Sequence, residues 1–158
     1  MYVCPEDLHK AHDKELEAER RAERKRRLED ERRRRQELAE KLDVTSKQNQ
    51  DYRERIGKML TVVVEAGDIT LEPLQNIKDF YTEGETLHHC VFAANYYTKA
   101  DCLIIGAKVK GERTETIEVD TKNWRIVQCR GKYNQDSAYH QQIYRLATVS
   151  LQQYRRCM

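Results

Sequence analysis

The spacing of apolar and polar positions divides this chain into two regimes. Residues Asp13 to Lys41, "DKELEAERRAERKRRLEDERRRRQELAEK", are almost wholly charged, with no glycine or proline. Glu, Arg, Ala, Leu and Lys favour helix. Acids precede bases by four residues at Glu17/Arg21, Glu23/Arg27, Glu29/Arg33, Glu31/Arg35 and Glu37/Lys41. Each such pair adds ~0.2–0.5 kcal/mol to an isolated helix. The pattern predicts one long helix, starting near Pro5, a residue suited to a first turn. Its sparse leucines, Leu8, Leu16, Leu28, Leu38 and Leu42, do not sustain a heptad, which argues against a long coiled coil.

A polar stretch, Asp43 to Asp51, marks the junction with the second regime. Tyr52 to Leu60 predicts a short helix. "TVVVEAGDITLEPL" reads as two extended runs around Ala66-Gly67-Asp68, a hairpin signal. "QNIKDFYTEG" predicts a helix ending at Gly84, followed by a second helix from about Thr86 to Tyr96. Cys102 to Val109, Thr114 to Val119 and Trp124 to Cys129 are strand-like. The short connections "KGER" and "DTKN" favour an antiparallel meander. Apolar positions near 3.6 spacing (Ile143, Leu146, Ala147, Leu151, Tyr154) predict a C-terminal helix from near Asp136 or Ser137. The expected fold class is α+β: a small antiparallel β-meander sheet flanked by helices, preceded by a long charged helix. The expected organisation is a helical arm over 1–45 and a compact domain over 52–158.

Pairing the strands across those turns puts Val109 opposite Thr114 and Val119 opposite Trp124. Leu103, Ile105, Ala107, Val109, Thr116, Glu118, Arg125 and Val127 then share one face. Ile104, Ile117, Val119, Trp124, Ile126, Gln128 and Arg130 share the other. A one-residue slip exchanges the faces. In this register Glu118 projects among apolar neighbours, so it needs a partner or stays protonated. Arg125, directly opposite, is the ordinary partner, and the segment carrying His89 is the alternative.

The chain has 158 residues and is 35% charged, against roughly 25% in globular domains. The excess sits in the arm, and the net charge of +2 names no partner. Five cysteines, at 4, 90, 102, 129 and 157, form no CxxC pair. No leader and no run of about 18 apolar residues is evident. These features predict a cytoplasmic protein with reduced thiols, no cofactor and no membrane partner.

Chemistry concentrates in two places. In "ETLHHCVFAANYY", His88, His89 and Cys90 are adjacent. On a helix adjacent side chains point about 100° apart, so the three cannot ligate one metal. Zinc would have to recruit Cys102, Cys129 or His140, and no spacing signature supports that, so no metal site is expected. Cys90 reads as a small core residue, or as a nucleophile if His140 meets it. In "QCRGKYNQD", Arg130 offers a planar fork for phosphate or carboxylate, and Gly131 frees the backbone. Asn134 could cap the loop or hold a ligand, and ordinary turn chemistry explains the stretch equally well.

"LHHCV" followed by "YY", then "DCLIIGAKVKGERTETIEV" and "IVQCRGKYN", resembles the C-terminal region of PcfJ-like proteins. These are encoded on bacterial conjugative plasmids, integrative elements and some phages. The resemblance runs from about Gly67 to Arg145, and the arm with its "PEDLHKAHD" start resembles the preceding segment. The family's recurring steps fall on His89, Cys90, Val91, Tyr97, Thr116, Glu118, Arg130, Gly131 and Asn134. The resemblance implies a genomic setting, not a reaction.

The expected function is an accessory module of a mobile element that engages nucleic acid or a nucleoprotein complex. Arg24, Lys25, Arg26 and Arg27 with Arg32, Arg33, Arg34 and Arg35 would contact phosphates of DNA or RNA, and a protein of the same complex is the other expected partner. His89, Glu118, Arg130 and Asn134 form the candidate pocket, with Cys90, Tyr97 and Thr116 secondary. One rival reading is an enzyme using that pocket for acid–base chemistry on a phosphate-bearing or nucleotide substrate. The other is a purely structural interaction domain. Spatially, Cys90 is expected to pack inward while His89 meets Glu118 or Asn134.

Overall fold

The computed structural model describes residues 5–41 and 47–158. Cys4, Leu42 and positions 43–46 of the expected junction lie outside the described residues. The chain divides into two units, the first ending at Lys41 and the second covering the remainder to Met158.

The first unit is one helix, α1, Pro5–Lys41. Among the described residues it forms the expected pairs Glu17–Arg21 at 3.5 Å and Glu23–Arg27 at 2.9 Å, and Arg33 pairs with Asp30 at 3.0 Å in place of the expected Glu29. All six side chains are more than half exposed, so each pair contributes a few tenths of a kcal/mol, about 0.3–0.5.

The second unit runs α2 (Lys47–Ile56), a single 3-10 turn (Gly57–Thr61), β1 (Val64–Ala66), β2 (Ile69–Pro73), α3 (Ile77–Leu87), β3 (Cys102–Val109), β4 (Glu112–Asp120), β5 (Arg125–Gly131) and α4 (His140–Arg156). The five strands pair in sequence order, each antiparallel to the next. The α+β meander therefore stands, with the 64–73 hairpin added to its edge. β3 is central, which explains its unbroken apolar run: seven of its eight residues are buried. Helix α2 starts at Lys47, inside the stretch expected to be irregular, and α4 starts at His140, four residues later than Asp136.

The register differs from the simple pairing. Val109 faces Glu112, not Thr114, because the β3–β4 connection is only Lys110-Gly111. Both have positive φ, 53° and 82°, the mark of a two-residue turn whose twist suits a hairpin. A bulge beyond it shifts the ladder by one, so Ala107 faces Glu115 and Gly106 faces Thr116. A second irregularity leaves Gln128 opposite Glu118 and Ile126 opposite Val119. Thr116 and Glu118 thus share a face with Ile104, Gly106, Gln128 and Arg130, not with Leu103 and Ile105. Arg125 faces Asp120, 3.9 Å away, and is not the partner of Glu118.

Helices cover both faces. Arg113 and Thr116 of β4 reach Glu83 of α3 on one side. Glu115 reaches His140 at the start of α4 on the other. Tyr52 of α2 donates to the Leu74 carbonyl and meets Phe80 of α3 edge-on, 5.2 Å between centroids. Tyr97 adds a second edge contact to Phe80 at 5.7 Å. On the far side Ile143, Ala147 and Tyr154 of α4 are buried, and Tyr154 donates to the Val62 carbonyl at 3.3 Å.

The 110–111 turn can be tested. Gly111→Ala forces a side chain into left-handed backbone and should cost about 1–2 kcal/mol. Lys110→Asn places a residue that tolerates that conformation there, so it should hold or slightly raise stability. Denaturant midpoints of the two variants, moving in opposite directions or with only the first falling, check the turn.

Candidate functional site

Helix α3 buries Ile77, Phe80, Glu83 and Leu87, and Glu83 interrupts an otherwise apolar stripe. The helix runs through Gly84 and ends at Leu87, where His88 takes left-handed backbone (φ 51°). The second helix expected over 86–96 is absent: 88–95 are turns. The peptide groups released there close on themselves, with His89 N donating to Gly84 O at 3.3 Å and Ala94 N to Cys90 O at 2.8 Å. The turn, not a helix, sets the directions of His89 and Cys90. Cys90 is exposed, which overturns its expected inward packing. Val91 takes the core position, 6% exposed.

His89 turns toward the sheet. Its Nε2 lies 2.7 Å from Thr116 Oγ1, and Thr116 Oγ1 donates to Glu83 Oε1 at 2.7 Å. The other Glu83 oxygen accepts from Arg113, whose second amino group stands 3.5 Å from Asp79. A hydroxyl has one proton to give. Thr116 gives it to Glu83 and accepts from His89, which fixes the Nε2–H tautomer and leaves Nδ1 as the acceptor. Burial pushes the His89 pKa below its usual range. Burial also raises the pKa of Glu83, against the opposing pull of Thr116 and Arg113.

Glu118, 4% exposed, does not meet His89. It accepts from Lys99 Nζ at 2.5 Å and from Gln128 Nε2 at 2.8 Å. The Glu118 hydrogen bond raises the Lys99 pKa. Cys102 Sγ lies 3.9 Å from the same carboxylate, and burial first, the carboxylate second, push its thiol up to about 12.

Arg130 and Asn134 leave β5 through a turn that only glycine permits. A Cβ at Gly131 would stand 2.9 Å from the backbone oxygens of both Thr114 and Gln135. The loop is closed by Gly131 N donating to Gln135 O at 2.8 Å, and Tyr133 and Asn134 both have positive φ. Arg130 pairs with Asp136 at 3.2 Å, both half-exposed.

These pieces enclose a cavity of about 200 Å³ lined by His89, Cys90, Val91, Tyr96, Ile104, Thr116, Glu118, Gln128, Arg130 and Asn134. His89, Glu118, Arg130 and Asn134 come together there, with Thr116 and Cys90. Tyr97 does not: its hydroxyl donates to Asn95 at 2.9 Å, its ring is buried, and Tyr96 lines the cavity instead. Sequence reasoning missed Glu83, Arg113, Lys99 and Gln128. A glutamate inside the apolar stripe of α3 is the signal that marks the first.

A second polar cluster lies on the opposite face of the sheet. Glu115, fully buried, accepts from Ser137 at 2.8 Å, lies 2.7 Å from His140 Nδ1, and has Cys129 Sγ at 3.6 Å. Among the described residues Glu115, Cys129 and His140 are the group with metal-ligating atoms in mutual reach. Tetrahedral zinc at ~2.0–2.1 Å from nitrogen and oxygen would hold them about 3.3 Å apart. The 2.7 Å contact is a hydrogen bond, and the cluster reads as a buried carboxylate with its donors. Burial raises the Cys129 thiol pKa, with Glu115 next in effect.

On α1, Arg20 to Arg35 hold ten basic and four acidic residues. At 3.6 residues per turn, Glu19, Glu23, Asp30 and Glu37 form one row along the helix. Arg21, Arg24, Lys25, Arg32 and Arg35 lie on the opposite side. Arg26 and Arg33 fall beside the acidic row, where Arg33 pairs with Asp30. The eight basic candidates are all exposed, but they do not share one face.

A family model described as PcfJ-like protein matches residues 1–144. No curated protein and no solved structure matches the chain. No helix among the described residues is long and apolar enough to cross a membrane.

The depressed His89 pKa has a signed consequence. In the unfolded chain the ring takes a proton near ~6.5, and in the folded chain only at lower pH. Between those values the unfolded state binds more protons, so stability rises with pH there and is lost as pH falls below about 6.5. His89→Gln should flatten that slope between pH 5 and 7. Denaturant midpoints of variant and parent across this range give the comparison, and parallel curves count against a buried neutral imidazole.

Proposed function

The chain belongs to the PcfJ-like family, and from that starting point we propose that it is a mobile-element protein that engages nucleic acid. In this reading the basic side of α1 contacts phosphates, and the cavity of the compact unit takes a phosphate-bearing group of the strand or of a nucleotide. The observation that carries it is the meeting of His89, Thr116, Glu118, Arg130 and Asn134 around one cavity, from three separate segments of the chain. Glu118 there is neutralised by Lys99, at 2.5 Å. Arg130 supplies a planar donor pair for phosphate oxygens. Its Asp136 partner is half-exposed, and such a pair is weak enough to exchange for a doubly charged anion.

Acid–base catalysis on the bound group is a second reading, favoured by one arrangement. The His89 ring is held neutral by burial and oriented by a hydroxyl backed by a carboxylate. This is how a general base is positioned. Turnover of an oligonucleotide or nucleotide that His89→Gln abolishes, with binding kept, supports it. Binding without turnover leaves the first reading alone.

The arm supplies the main test. Removing one cation that neutralises a phosphate should flatten the slope of log affinity against log salt by ~0.7–0.9. Replacing Arg21, Arg24, Lys25, Arg32 and Arg35 with glutamine should lower affinity for an oligonucleotide and flatten that slope by several units. Replacing Arg26 and Arg33, beside the acidic row, should do much less. Equal effects per residue from both sets overturn a face-specific contact, and no effect from either moves the interaction to the compact unit or to a protein.

A further inference from the structure

His88 and Tyr133 stack face to face, ring centroids 4.7 Å apart and planes within 3°. Each is the chain neighbour of a cavity-lining residue, His89 and Asn134 respectively. Both rings are carried on left-handed backbone, φ 51° and 55°, which bulky side chains adopt rarely and which clusters at ligand sites. Here Tyr133 is 63% exposed and His88 is exposed as well. The loop geometry therefore holds a paired aromatic surface out in solvent. The neighbouring chain is polar and basic: Lys132 precedes the tyrosine, and Arg130 stands three residues before it, on β5 just ahead of the 131–135 turn. A flat π surface one residue along the chain from a cavity that Arg130 lines matches a base and its phosphate better than it matches an aliphatic protein surface.

We propose that the His88–Tyr133 pair is a stacking platform for the nucleobase of a nucleotide unit whose phosphate meets Arg130 at the cavity. The ligand class is a base-bearing phosphate, free or at an unpaired position of a strand. The inference rests on the nucleic-acid reading above and gives it a base-contacting subsite that the sequence did not suggest. Base–aromatic stacking tolerates any base, so the platform confers a preference for unpaired nucleotides and not for a sequence.

The experiment uses the full chain and matched probes: AMP against ribose 5-phosphate, and a hexamer of dA against an abasic hexamer with the same number of phosphates. The base-bearing probe of each pair should bind more tightly. Tyr133→Ala should weaken that probe by about tenfold or more, and Tyr133→Phe should retain it. The probes without bases should be indifferent to both changes. A base effect seen with AMP identifies a free nucleotide as sufficient, and one seen only with the hexamer identifies a strand. Thermal unfolding of Tyr133→Ala at the parental temperature shows that the loss is local. Equal binding with and without bases, or equal losses from Tyr133→Ala on both, overturns the platform while leaving phosphate binding intact. If none of the four probes binds, the nucleic-acid reading fails first and the platform with it.

Discussion

Three carboxylates inside a unit of fewer than 120 residues set the terms for everything around them. Glu83 and Glu115 are fully buried and Glu118 is 4% exposed. A buried carboxylate without donors costs several kcal/mol, on the order of 3–5 when one partner of a pair is removed. None of the buried side-chain polar atoms among the described residues lacks a partner. Each carboxylate finds its donors on other elements. Glu83 of α3 draws on β4, Glu115 of β4 on the segment entering α4, and Glu118 of β4 on β5 and the approach to β3. The polar contacts thus fix how α3 and the start of α4 are set against the sheet, a choice that apolar packing leaves looser.

The cavity inherits its chemistry from that network. His89 stands where it does because Thr116 is already committed to Glu83, and its tautomer follows from the same commitment. Glu118 faces the cavity with Lys99 and Gln128 on its two oxygens, so the carboxylate repels an anion less than a bare charge would. Gly131 lets Arg130 and Asn134 leave one strand end and stay close to it. The apolar core supports the site without lining much of it.

The meander is legible in the sequence because β3 is a continuous apolar run and the connections are too short for anything but antiparallel return. The cavity is legible as a set of residues, because adjacent histidines and an arginine and asparagine flanking Gly131 concentrate polar chemistry in two short stretches, although turn chemistry alone would explain the second. The partners are not legible. The simple register fails at both turns, which close at Val109/Glu112 and Asp120/Arg125, and at two bulges, neither of which has a composition of its own. It therefore pairs Glu118 with the wrong strand residue and puts Thr116 on the wrong face. The helix boundary fails at Gly84, a residue that normally ends helices but here lies within one. Cutting the helix there gives Cys90 a core position that belongs to Val91. Glu83, one residue before that glycine, escapes notice, since a single glutamate in an amphipathic helix resembles an exposed one until the stripe is counted. The Glu115–His140 contact joins residues 25 apart, and no spacing rule relates a strand to a helix across a sheet face.

The bulge between Arg113 and Thr116 has a meaning for how this strand can change over time. In a regular strand residues three apart point to opposite faces. Here they pair with Lys108 and Gly106, which are two apart, so both reach Glu83. The strand is consequently read in two frames, one on each side of the inserted residue. Many substitutions at the exposed positions before the bulge leave both frames intact. Loss of a single codon at Thr114 would remove the inserted residue and leave a regular ladder, in which Arg113 and Thr116 stand two apart, keep their partners Lys108 and Gly106, and still face Glu83. In this strand one residue of length is spare at 114 and nowhere else between 112 and 116, and alignments within the family that slide such a gap off 114 would equate residues that lie on opposite sides of the sheet.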